Sequence, residues 1–345
     1  MLQVVFVSIW FLNLIFLFFK KKSKIVIGMS ICLSIYVYFH NVGSNDFFKY
    51  SLIYSGRIKS EMEPGYDLLM RIGNIIGLSF QEFQGIVASV CLLLIIMIFS
   101  KLSQNYHCFF TYYFIYQYFA DLNFFRNFIM RTILFFAIYM LMQKKKKIFI
   151  LLLLIASLFH SSALIYIPLI LVNSETQLTK KTIKIFAVSI LVFCFIVFIA
   201  GNNWTWLGVL ATVILGEESE KIYYYFTTST RLGFLLYFSL YFAFLIYILS
   251  TKHKLHNSKV TIFNWTYYIN LYCLISFPMI MLNTNFYRIY NNLFFLNITY
   301  SAIVLEQYER TTGKYYGEII KLLLINYLYR LPLVQAWNQR FLILK

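Results

Sequence analysis

Uninterrupted apolar runs constrain this chain more than any other feature. Residues 2–19, 25–40, 85–100, 183–200, 232–250 and 260–282 are each almost free of charge. A helix needs roughly 20 such residues to cross the hydrocarbon core of a bilayer. The runs are continuously apolar rather than alternating, which points to helices and not to the strands of a barrel. Composition agrees: 61% of the residues are hydrophobic and 12% charged, where a soluble domain carries about a quarter charged residues. The expected fold is an all-α polytopic integral membrane protein, one membrane domain over 1–345 with about 11–12 spanning helices. The first run reads as a retained span, because Lys20, Lys21, Lys22 and Lys24 follow it and no basic segment precedes it.

Lysine gives the orientation. Short loops at 20–24, 144–147, 180–184 and 252–259, with Lys101, hold fifteen of the twenty-one lysines and no arginine or carboxylate. The positive-inside rule assigns them to the cytoplasm. It also accounts for the net charge of +17 without a nucleic-acid partner. Residues 41–84 then form the main extracytoplasmic loop, and runs 106–120 and 124–142 flank a short outside turn near Asp121. A single crossing by 148–172 would leave Lys180, Lys181 and Lys184 outside. A break near His160, folding 148–172 into a helical hairpin, avoids this; an extra span at 204–215 is the alternative. Residues 201–231 form a second extracytoplasmic loop, and 306–345 a cytoplasmic or interfacial tail. Pro168 and Pro278 are expected to kink their spans.

On this map Arg57, Arg71, Arg126, Arg131, Arg231 and Arg288 lie on the outer face or just beneath it. Topology asks for positive charge on the other side, so these arginines need a reason of their own. A planar guanidinium fork is suited to bidentate capture of phosphate oxygens; snorkelling and local salt bridges are the structural alternative. The five cysteines, Cys32, Cys91, Cys108, Cys194 and Cys273, are scattered with no pairing pattern, and no residue set has metal-ligand spacing. Neither a metal nor a cofactor is expected.

Four motifs follow one another along the chain: Gly43 through Tyr50 with Asp46, then Glu63-Pro64-Gly65-Tyr66, then Arg126 opening a span, then Phe159-His160-Ser161-Ser162 after a basic loop. In this order they resemble the EpsG family of membrane proteins, related to Wzy-type polysaccharide polymerases. The resemblance is carried by residues 1–172 and continues beyond them only as a pattern of spans. Gly43 and Asp46 are separated by two residues, Ser44 and Asn45, where the family more often has one.

The resemblance implies a multi-pass protein of the bacterial cytoplasmic (inner) membrane. Its implied reaction joins undecaprenyl-diphosphate-linked oligosaccharide repeat units into an O-antigen- or capsule-type polysaccharide, by glycosyl transfer at the outer face. A chain-length regulator and a flippase would be its partners besides the bilayer. A diphosphate leaving group calls for fixed positive charge, for which Arg126, Arg231 and Arg288 are the candidates, with Arg131 one or two turns deeper. Asp46, Glu63 and His160 are the candidate bases for the acceptor hydroxyl, and Tyr50 and Tyr66 could stack on sugar rings. The first three have plainer readings: Glu-Pro-Gly is an ordinary turn, His160 could hydrogen-bond freed backbone carbonyls at a helix break, and Asp46 could be a solvated loop charge. A flippase for the same lipid-linked unit and a glycan ligase remain the alternatives. The absence of an internal repeat and the clustering of charge on one face speak against the flippase.

Overall fold

The computed structural model describes residues 2–40, 45–60, 62–172, 177–199, 201, 232–252, 255, 260–308 and 313–328, with the backbone alone at 45–46, 116, 177–179, 260 and 326–328. All regular structure among them is helical, and five helices are long and apolar enough to cross a membrane. The chain is an all-α polytopic membrane protein. It divides into two compact units, Met1–Ile170 with Phe294–Lys345, and Leu171–Leu293. Arg231 and the alternative span 204–215 lie outside the described residues.

The first unit opens with α1 (Leu2–Phe18) and α2 (Lys24–His40), close to the apolar runs. The loop expected at 41–84 is partly helical. It holds α3 (Asn45–Tyr54) and α4 (Pro64–Ile75), and α5 (Phe80–Leu102) starts before the loop was expected to end. Local signals explain both. Pro64 sits in the first turn of α4, where its missing N–H costs nothing. Gly77, at φ +81°, closes α4 with hydrogen bonds from Gly77 N–H to Asn74 O and from Leu78 N–H to Gly73 O. Ser79 and Glu82 form a reciprocal capping box that starts α5 five residues ahead of its apolar run.

After α5 come α6 (Tyr106–Tyr112), a π-helical turn (Tyr113–Gln117) and α7 (Tyr118–Asn123). The chain then breaks at Phe124 and continues as α8 (Phe125–Met142) and α9 (Lys146–Ser157), two helices packed on each other. The expected break at His160 is present. Helix α9 stops at Ser157, and a 3-10 helix spans Ser161–Leu171 with Pro168 inside it. Such helices seldom run beyond 3–4 residues and often mark a hinge or strain when they do.

Lys20 and Lys101 lie at one end of this unit and Arg126 at the other, where Lys49 also stands next to Tyr50 on α3. At the lysine end, Lys20 Nζ donates to the carbonyls of Glu306 and Tyr308, and Ser103 Oγ donates to Glu306 Oε1 at 2.6 Å. At the other end Gln81 Nε2 donates to Phe39 O at 2.6 Å, and Tyr66 packs against both Phe83 and Phe125. Helix α8 therefore starts beside the first turn of α5, and its 18 residues carry it about 27 Å away toward the lysine end. Helix α9 returns, so that its last residues reach the end where Arg126 stands.

The second unit contains α10 (Gln177–Ile199), α11 (Phe234–Thr251), α12 (Val260–Tyr272), α13 (Ser276–Leu282) and α14 (Tyr287–Asn291). Between α12 and α13 the helix tightens into a 3-10 turn at Cys273–Ile275. Pro278 has no N–H for the carbonyl four residues before it, Leu274, which explains the interruption. The apolar stretch 289–305 is broken at Asn292–Leu293. There Leu293 N–H reaches back only to Tyr290 O, at 3.0 Å, and ends α14. The boundary between the units falls at this break. Helix α15 (Phe294–Gln307) belongs to the first unit, as does α16 (Gly313–Leu328), where the Tyr315 hydroxyl donates to Leu17 O.

Candidate functional site

Arg126 projects from the first turn of α8 and is half-buried. Its Nη1 pairs with Glu63 Oε2, and its Nε donates to Tyr50 Oη at 3.0 Å. The guanidinium carbon also lies 5.5 Å from the centre of the Tyr50 ring, within cation–π range. These hydrogen bonds engage Nε and Nη1, out of five N–H donors that a guanidinium carries in all.

Glu63 occupies the N-cap position of α4, where an acidic side chain ordinarily turns back onto the helix N–H groups. It makes no such bond; its carboxylate goes to Arg126 instead. The plain turn reading of Glu-Pro-Gly thus accounts for Pro64 and Gly65 but leaves the Glu63 side chain to the arginine.

Gly65 brings the fourth motif to this place. Its N–H donates to Leu158 O at 2.8 Å, and a Cβ on it would stand 2.7 Å from Leu158 Cβ. Glu63 is two residues from Gly65 and His160 two residues from Leu158. Each therefore lies within about two residue lengths, ~7 Å, of the junction. At the junction itself, His160 Nδ1 is 2.8 Å from Ser162 Oγ and accepts from Ser162 N–H at 3.2 Å. The structure thus brings together three of the motifs: Glu63-Pro64-Gly65-Tyr66, Arg126 and Phe159-His160-Ser161-Ser162. Tyr50 joins them from α3.

The other expected site residues are placed differently. Asp46 opens α3, and its side chain lies outside the described residues, as does the whole of Arg231. Arg288 is on α14, in the second unit. Tyr66 is fully enclosed, with Tyr50, Phe83 and Phe125 around its ring. It packs the floor of the site rather than presenting a face to a sugar. Arg71, exposed on α4, pairs with Asp67 one turn back at 2.9 Å.

Arg131 is deeper than Arg126, as expected, but on another face. Five residues along an α-helix turn the side chain through about 140°. It is buried to 1% exposure and paired with Asp121. Asp121 also accepts from Gln117 Nε2 at 2.6 Å and Tyr113 Oη at 3.1 Å, and Tyr113 is hydrogen-bonded to Tyr38 at 3.0 Å. The break expected near Asp121 comes at Phe124, three residues later, and the Asp121 carboxylate itself lies inside the packed unit. Its charge is tolerated there because the arginine and two further donors replace water. The signal in the sequence was the spacing of Tyr113, Gln117, Asp121 and Arg131 through otherwise apolar stretches.

The family model of the EpsG family matches residues 39–343, a range that contains all four motifs. No curated protein and no solved structure matches the chain.

Proposed function

The chain belongs to the EpsG family, and from that premise we propose that it polymerises lipid-linked oligosaccharide repeat units into a surface polysaccharide. The donor in this reading is an undecaprenyl-diphosphate-linked glycan, and the reaction takes place at the outer face of the cytoplasmic membrane. One observation carries the proposal: an arginine at the mouth of a span, cradled by a carboxylate and a tyrosine, with the His160 turn stitched beside it.

The chemistry follows from that arrangement. The acceptor hydroxyl oxygen bonds to the anomeric carbon, and the bond from that carbon to the diphosphate oxygen breaks. The electron pair leaves with the lipid diphosphate, and the hydroxyl proton passes to a carboxylate. Arg126 offers further N–H donors to the departing phosphate, whose charge grows as the bond breaks. The diphosphate and the Glu63 carboxylate compete for one guanidinium. Donor binding therefore draws Arg126 away from Glu63 and releases a carboxylate oxygen to accept a hydrogen bond from the acceptor hydroxyl. Asp46, near the start of α3, is a second carboxylate for that role. Arg131 holds the helix from which Arg126 projects.

The test is reconstitution of the purified protein in vesicles with a lipid-linked repeat unit as the sole substrate. The proposal expects a ladder of lipid-linked oligomers with release of lipid diphosphate, abolished in Arg126→Ala. Movement of the unit across the bilayer without any oligomer would contradict it and favour a flippase.

A further inference from the structure

Arg126 and Glu63 do not form the two-pronged pair that a guanidinium and a carboxylate can make. Such pairs are frequently bidentate, with two parallel N–H···O bonds. Here one prong is used. Nη1 donates to Glu63 Oε2, and among the described residues neither Nη2 nor Glu63 Oε1 makes a hydrogen bond. A guanidinium offers an oxyanion two edges, Nε with Nη2 and Nη1 with Nη2. Tyr50 Oη, 3.0 Å from Nε, closes the first of them to the carboxylate. Two anchors on different nitrogens also fix the rotation of the plane, which holds Glu63 to a single contact on the second edge.

Tyr50 is itself fixed in place. It lies on α3, buried to 5% exposure, with the Tyr66 ring 5.6 Å from its own and the guanidinium carbon 5.5 Å from its centre. A ring enclosed in this way is not the open face on which a sugar would stack. Its hydroxyl oxygen accepts from Arg126 without bringing a negative charge, so it orients the cation and leaves that charge for a ligand. We infer that Tyr50 is a positioning residue, a role that rests on the polymerase reading. It keeps the Arg126 guanidinium from closing onto Glu63, and so presents Nη2, joined by Nη1 once the carboxylate is displaced, to the diphosphate of the lipid-linked donor.

Tyr50→Phe keeps the ring and removes the acceptor oxygen. The Nε–Nη2 edge is then open to Glu63. The purified variant is expected to bind inorganic diphosphate about 1.5–5-fold more weakly than wild type, the worth of one further partly exposed carboxylate contact. That loss depends on the carboxylate. In a Glu63→Gln background the same replacement is expected to leave the affinity nearly unchanged, because no negative charge remains to take the freed edge. A residue that only packs α3 in place would weaken binding equally in both backgrounds, and that result overturns the positioning role. So does a Tyr50→Phe variant that binds as tightly as wild type, or a wild type that does not bind inorganic diphosphate. Should the wild type bind inorganic diphosphate yet form no oligomer in vesicles, the polymerase reading falls, and the paired affinities still decide what Tyr50 does.

Discussion

Gly65 and Leu158 meet backbone to backbone, 93 positions apart in the chain, through a 2.8 Å hydrogen bond from the Gly65 N–H to the Leu158 carbonyl. This contact joins the Glu63 motif to the His160 motif, and it leaves no room for a side chain at 65. Alanine in the first turn of a helix would ordinarily be favoured over glycine by roughly 0.5–1 kcal/mol. Here Gly65→Ala is expected to destabilise by about 1–3 kcal/mol, the cost of overpacking, and to lower polymer formation. Thermal unfolding in detergent checks the first, and unchanged or raised stability would refute the close approach.

Glu63 and a bound diphosphate compete for Arg126, and the Glu63–Arg126 pair is partly exposed, so removing the carboxylate charge separates binding from turnover. Glu63→Gln is expected to tighten inorganic diphosphate binding by a modest factor, about 1.5–5-fold for a pair worth 0.2–1 kcal/mol. Oligomer formation should fall by about 10²–10⁴-fold, the usual contribution of a general base. A variant that binds more weakly would show that Glu63 orients Arg126 instead of restraining it. Undiminished turnover would pass the base role to Asp46.

Arg131 and Asp121 form a pair at 1% and 0% side-chain exposure, which makes its members interdependent. Arg131→Met or Asp121→Leu alone strands one charge in the interior, at a cost of about 3–5 kcal/mol. The double variant is expected to recover most of that loss. Folded protein recovered from the membrane and its unfolding temperature report both effects. If the double variant is no better than either single one, the pair is not the dominant coupling at this site.

Two lysines end helices in the left-handed conformation that favours glycine: Lys20 at φ 48° and Lys144 at φ 62°. Each closes its helix in the same way, Lys144 with hydrogen bonds from its N–H to Leu141 O and from Lys145 N–H to Met140 O. Lys144→Gly is expected to raise stability by up to about 1 kcal/mol, as the backbone strain is relieved. Lys20→Gly should not, because Lys20 Nζ also holds the end of α15 through the Glu306 and Tyr308 carbonyls. Unfolding measurements on the two variants should differ in sign, and parallel gains would show that the Lys20 bonds contribute nothing.

Hydrophobicity made the spanning helices legible, because a bilayer imposes length and apolarity directly on the sequence. The helix ends set by Ser79 with Glu82, by Pro64 and by Gly77 depend on capping, and the apolar runs alone misplace them. The break at His160 was visible through the lysine count, since one crossing would have set Lys180 and its neighbours on the wrong side.

What was hidden depends on direction rather than composition. The depth of Arg131 follows from its distance along α8, but its rotation away from Arg126 matters only once Asp121 is seen to face it. Asp121 looked like a turn residue because an isolated carboxylate is costly in an apolar interior, and its partners are split between the π turn, Tyr113 and Gln117, and helix α8, Arg131. Tyr50 was one of 29 tyrosines until Arg126 selected it. The Gly65–Leu158 contact had no local signal beyond a glycine already explained by its turn.

The most direct test of the central claim is the surface glycan profile of a bacterial strain lacking this chain, complemented with wild type or Arg126→Ala at matched protein levels. The account predicts that the deletion strain and the Arg126→Ala strain display single repeat units, and that wild type restores the long-chain ladder. Lipid-linked units trapped on the cytoplasmic side in the deletion strain, or a normal ladder from Arg126→Ala, would contradict it.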